Sequence, residues 1–316
     1  MFIIYLPMRK LPLLVKDETS TLEVVVLGNP IDFGGVPSME FAYDPKSKEH
    51  IVADTFPIES DLVKEMEQFR LVLEKYDVEV YRPENIKNYN QIFSRDIAFV
   101  IDDKLIVPNI LEERAKEFSA IAHIVKMIDP DSIIKMPEGV YVEGGDVMPW
   151  DDCIFVGVSN EEDFHKYKVA RTNYEGVAFL QKTFPERTVV SFELNKSDTD
   201  PRANALHLDC CFQPVGKNQA LLYPGGFKNE EDVQFLIDYF GSENIIELDR
   251  EQVYEMSSNV FSISLNVVVS EKRFVRLNKD LRKRGFTIEE IEYREVGKMS
   301  GLLRCSTLPL RRTNNE

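Results

Sequence analysis

The chain has 316 residues, 43% of them hydrophobic, with 54 acidic side chains against 38 basic ones and a formal net charge of −16. That is enough apolar material for one large domain or two modest ones. Charge of this sign repels phosphate backbones and anionic membrane surfaces, so neither nucleic acid nor a membrane is an expected partner, whereas a cationic small molecule is attracted.

Residues 1–21 read as an N-terminal extension. Its apolar stretch is interrupted by Pro7, Arg9, Lys10 and Pro12, too broken for a bilayer span, and its charges follow the first apolar run where a signal peptide has them in front. From 22 to 316 no low-complexity linker intervenes, and a single domain is expected. Leu22 to Leu27 is a β-branched strand ending in the turn Gly28-Asn29-Pro30. Ser60 is placed to cap a helix running to Tyr76, with Leu62, Val63, Met66, Phe69 and Leu73 on one face, and a strand follows at 78–81.

The pattern then recurs. Strands at 98–101 and 105–107 precede a helix over 112–128 and a strand near Ile133. Strands at 140–142 and 154–158 precede a helix over 174–184 and a strand at 188–192. Strands at 206–214 and 220–223 lead to a helix at 230–240 and a strand at 245–248; strands at 261–263 and 267–269 lead to a helix at 273–284 and a strand at 287–291. The class is α/β, with two strands, a helix and a strand repeating about every 60 residues, as in an array of like modules.

Of the four cysteines, Cys153, Cys210, Cys211 and Cys305, the adjacent pair makes a strained bridge, so free thiols in a reducing cytoplasm are expected. With no CxxC or paired-histidine spacing, no metal is expected. Cys305 lies in a polar stretch between Ser300-Gly301 and Pro309, unlike a mid-helix core residue. A thiol is the best side-chain nucleophile near neutral pH once its thiolate is stabilised, and Arg304 or a bound cation can do that. Taken alone, a buried structural cysteine is the commoner outcome. In a strand over Leu206 to Phe212, His207 and Asp209 share a face, the makings of an acid–base unit, although a satisfied core histidine is as common. Glu143-Gly144-Gly145-Asp146 places two acids around a close-approach backbone, and Ser94-Arg95-Asp96 precedes an apolar strand; each in isolation reads as an acidic turn or a surface pair.

In order, SRD, EGGD, RTN at Arg171-Thr172-Asn173, HLD at His207-Leu208-Asp209, and the C-terminal Arg304-Cys305 followed by Thr307 and Pro309 resemble the guanidino-group modifying enzymes, that is, arginine deiminases, dimethylargininases and arginine–glycine amidinotransferases. The resemblance spans Leu22 to Arg312. It implies a pentein fold, a five-bladed α/β propeller of ββαβ modules with the active site in the central channel. It further implies Cys305 as nucleophile, His207 as general acid–base and Glu143 as its orienting acid. Asp96 and Asp209 are then the carboxylates on the guanidinium, joined by Asp146 of the EGGD motif, and Arg171 receives the substrate's α-carboxylate. No cofactor is implied.

The chemistry suits a guanidinium. Bidentate carboxylates hold its flat carbon against the sulfur, and its charge depresses the thiol pKa. Attack neutralises charge, so no oxyanion hole is needed. A hydrolase of a small guanidino or ureido amino acid is the leading expectation; the alternatives are an amidinotransferase with an amine acceptor, and a non-catalytic binder on the same propeller.

Overall fold

The computed structural model describes residues 9–313. Fifteen strands pair into five three-stranded sheets. Four of these are continuous in sequence. β3 (Phe99–Ile101), β4 (Lys104–Val107) and β5 (Ile133–Lys135) form one, and β6 (Val147–Trp150), β7 (Cys153–Val158) and β8 (Thr188–Glu193) the next. β9 (Phe212–Val215), β10 (Gln219–Leu222) and β11 (Ile245–Glu247) make the third, and β12 (Phe261–Ser264), β13 (Val267–Glu271) and β14 (Thr287–Ile291) the fourth. In each, the first two strands are an antiparallel hairpin, and the third returns parallel to the middle strand after a helical crossover.

The fifth sheet joins the two ends of the chain. β1 (Thr21–Leu27) is its middle strand, parallel to β2 (Glu79–Tyr81) and antiparallel to β15 (Thr307–Thr313), with Thr21 opposite Thr313 and Leu27 opposite Thr307. This is the expected ββαβ propeller, closed by its C-terminal strand.

Helices pack on the sheets through the stripes read from sequence. Leu62, Met66, Phe69 and Leu73 of the helix Glu59–Lys75 are fully buried, and Phe69 meets Phe261 and Tyr293 edge-on at 5.7 and 5.6 Å. Leu277 and Leu281 do the same for the helix Val275–Lys283.

Several expectations are corrected. Ser60 does not cap its helix, because Ile58 occupies that position and Ser60 is already helical. The helix expected over 112–128 is two 3-10 turns, Glu112–Arg114 and Glu117–Ile121, and one short α-turn, Ala122–Val125. Residues 140–142 pair with no strand; the hairpin begins at Val147. The helix Pro45–Val52, capped by Asp44 with Pro at its first turn, was not anticipated. From residue 11 on, the supposed extension is bonded into the propeller, through Leu11 N–H to Met127 O at 2.8 Å and Val15 N–H to Asp102 O at 2.8 Å. Residues 1–8 lie outside the described residues. No helix among the described residues is long and apolar enough to cross a membrane.

Candidate active site

Each blade's first strand is entered by a loop, and each of the five loops carries a polar side chain to one buried cluster. Asp96 precedes β3, Glu143 precedes β6, His207 precedes β9, Asn259 precedes β12 and Cys305 precedes β15. These side chains are 0 to 4% exposed. Glycines permit the approach: a Cβ on Gly144 would strike the Arg95 carbonyl, and one on Gly145 the His207 imidazole.

An electrostatic chain runs across the cluster. His207 Nε2 lies 3.0 Å from Glu143 Oε2, and its Nδ1 lies 3.7 Å from Asp96 Oδ1. Arg171 continues the chain, donating to both Glu143 oxygens at 3.3 and 3.4 Å. Burial disfavours the imidazolium, but Asp96, Asp146 and Glu143 outweigh it and hold His207 at about 9. Burial likewise opposes ionisation of Glu143, yet Arg171 and His207 bring it down to about 2. At neutral pH the resting site therefore holds an imidazolium against carboxylates.

Two atoms of this chain are unpartnered. Asp96 Oδ2 accepts from Arg114 at 2.6 Å, while Oδ1 accepts no hydrogen bond. Arg171 donates from Nε to Lys168 O at 2.8 Å and from Nη1 to Glu143, leaving Nη2 buried without an acceptor. Leaving such buried groups without a hydrogen bond is costly.

Cys305 is held by Asn259, whose Oδ1 accepts the Cys305 N–H at 3.1 Å and whose Nδ2 lies 3.2 Å from Sγ. Asp209 Oδ2 is 3.5 Å from the same sulfur. Burial, then the charges of Asp209, Cys210 and Asp96, push this thiol well above its ordinary value. These surroundings favour the neutral thiol.

The structure reassigns several residues. His207 and Asp209 do not alternate along a strand. His207 caps the 3-10 turn Leu208–Cys210, and β9 begins only at Phe212. Asp146 braces that turn: its Oδ1 accepts the Leu208 N–H at 2.9 Å and its Oδ2 the Thr172 hydroxyl at 2.7 Å, which ties two loops together. Arg304 is fully buried but spends its guanidinium on Glu18, at 3.0 Å, and Asp209, at 2.9 Å, so it does not stabilise the thiolate directly. Arg95 and Asp96 are not a surface pair; both are buried with different partners.

Arg114, Asn259 and Tyr43 escaped sequence reasoning. Asn259 had a usable signal, the polar run Ser257-Ser258-Asn259 directly ahead of an apolar strand. Tyr43 lies over the site, with its ring 5.6 Å from the Arg171 guanidinium carbon. Asp96, Glu143 and His207 bring potential metal-ligand atoms within 4.8 Å of one another.

Residues 42–312 match the profile of the family described as N,N dimethylarginine dimethylhydrolase, eukaryotic. The chain belongs to that family. Curated relatives of this dimethylarginine dimethylhydrolase family member include the uncharacterized protein YkgA of Bacillus subtilis, 29% identical over 70% of this chain and 69% of its own length. Another is the N(G),N(G)-dimethylarginine dimethylaminohydrolase of Pseudomonas aeruginosa, 26% identical over 62% and 67%. Among solved structures, the amidinotransferase SxtG of Microseira wollei superimposes with TM-score 0.72 at 18% identity, covering 96% of this chain and 99% of its own. The N-terminal domain of ArgZ, a cyanobacterial arginine dihydrolase, gives TM-score 0.75 at 16% identity over 92% and 98%. Those likenesses establish the pentein fold; the family places the chain among enzymes that act on guanidino C–N bonds.

Proposed function

We propose that the chain hydrolyses an Nω-methylated arginine, releasing the methylated amine and leaving citrulline, through a covalent intermediate on Cys305. The observation that carries this reading is the pair of opposite orphans. Asp96 Oδ1, which faces His207 but accepts no hydrogen bond, is fit for a guanidinium N–H, and Arg171 Nη2, a donor with no acceptor, is fit for an α-carboxylate. A zwitterion with a guanidinium at one end and a carboxylate at the other completes both. A cavity of about 430 Å³ bordered by Glu143, Arg171, Tyr141 and Tyr167 leaves room for its tail.

Substrate charge supplies what the empty site lacks. A guanidinium beside Asp96 and Asp209 offsets the charges that keep the thiol protonated, so the S–H proton is released as substrate binds. The thiolate adds to the guanidino carbon. Imidazolium His207 gives its proton to the methylated nitrogen, the C–N bond breaks, and an S-alkylthiouronium remains on Cys305. Neutral His207 then takes a proton from water, whose oxygen attacks the same carbon, and the C–S bond breaks to return thiolate and the ureido product.

Product analysis tests the assignment. Incubation with asymmetric dimethylarginine should give dimethylamine and citrulline in equal amounts, unchanged when glycine or lysine is added. Ornithine with a new guanidino compound on adding an amine would make the chain an amidinotransferase instead.

A further inference from the structure

A second cavity, of about 310 Å³, lies between the helix Pro45–Val52 and the last blade. Four cationic side chains line it, Lys46, Arg273, Arg294 and Lys298, together with the imidazole of His50. In a chain where acids outnumber bases 54 to 38, such a concentration runs against composition. The two acids on its wall compensate little. Glu271 is engaged by the Arg273 N–H at 2.7 Å, and Glu255 stands exposed beside Lys46. Lys298 has Glu295 at 2.6 Å, whereas the exposed Arg273 and Arg294 form no close ion pair among the described residues, although the charge of Arg273 acts on Glu271.

Lys46 is the most telling member. Only 5% exposed, it uses its Nζ on the Tyr254 carbonyl at 2.5 Å. An ammonium has three donors, and one backbone oxygen leaves it without a counter-charge in contact. The local field is visible elsewhere as well: His50 is lowered by burial and then by the charges of Lys46 and Lys298.

We propose that this cavity binds a small doubly charged oxyanion, with inorganic phosphate as the simplest representative, and that its occupancy fastens the helix Pro45–Val52 to the last blade. The anion would neutralise Lys46 from the cavity side and give the two exposed guanidiniums a shared acceptor. Because Tyr43, three residues before Lys46, packs on the Arg171 guanidinium, an anion here also steadies the segment beside the catalytic cluster without touching it.

Isothermal titration with inorganic phosphate at constant ionic strength tests this on the intact chain, independently of what the enzyme turns over. Saturable one-to-one binding is expected, weakened about tenfold or more in Arg273→Glu/Arg294→Glu, whose exposed positions leave the fold intact. Phosphate should also slow amide hydrogen exchange across residues 45–52 in the wild type and not in the double variant. Chloride should do neither. Absence of saturable binding, equal affinity in the double variant, or binding abolished by Arg171→Gln, which would put the anion in the catalytic cluster, each overturns the proposal.

Discussion

At the residue scale, the surroundings of Cys305 and His207 favour one proton more than the proposed reaction uses. Cys305 is a thiol and His207 an imidazolium, whereas the reaction needs a thiolate beside an imidazolium. The productive form is therefore one proton poorer than the resting enzyme. It follows that kcat/KM should climb ~tenfold per pH unit through the neutral range and level off near the value of about 9 that His207 shows. A profile flat across that range would mean the thiolate already exists without substrate. At this scale the short motifs SRD, EGGD and HLD were enough to single out Asp96, Glu143 and His207, which the fold brings within contact of one another. Roles that depend on a distant partner were not legible. Arg304 looked like a neighbour of the thiol but faces Glu18, 286 positions away, and Asp146 looked like a ligand group but ties together two loops.

Elements explain why five side chains so far apart in sequence converge. Every one lies in the loop entering the first strand of a blade, so the propeller repeats a single aiming device five times. Strand and helix order could be read from hydrophobic period, but not the exceptions. Residues 112–121 fail to continue as α-helix while Arg114 turns inward to Asp96, Glu117 and the Phe93 carbonyl, a demand no local propensity reveals. Support for the loops comes from the helices behind them. Phe69 packs on Phe261, two residues after Asn259. Phe69→Ala should cost about 3–5 kcal/mol in urea unfolding and, by loosening β12 and the Asn259 contact, lower kcat more than it raises KM. A variant destabilised by less than about 1 kcal/mol would show that this packing does not support the site.

For the molecule as a whole, closure is the central event. β15 pairs with β1 across the full chain length and carries Cys305 at its threshold, so the proposed nucleophile is in place only once both ends have met. Glu18, from the segment expected to be a mere extension, locks that junction by accepting two hydrogen bonds from Arg304 at 3.0 Å. Although burial opposes its ionisation, Arg304 and Arg95 hold its carboxyl down at about 2. Breaking this buried pair with Glu18→Gln should cost about 3–5 kcal/mol at neutral pH. The sign of the pH dependence is fixed. A depressed carboxyl stabilises the fold above its unfolded value, 4.5, and loses that contribution as pH falls toward about 2, so the gap between wild type and variant should narrow over that interval. A gap that is constant or widens on acidification would contradict the pairing.

The covalent step is tested most directly by mass spectrometry of the protein acid-quenched during turnover of asymmetric dimethylarginine. The account predicts a fraction heavier by the substrate less dimethylamine, with the added mass mapped to Cys305 and none on Cys210 or Cys211. Full turnover by Cys305→Ala, with no adduct on any cysteine of the wild type, would contradict it.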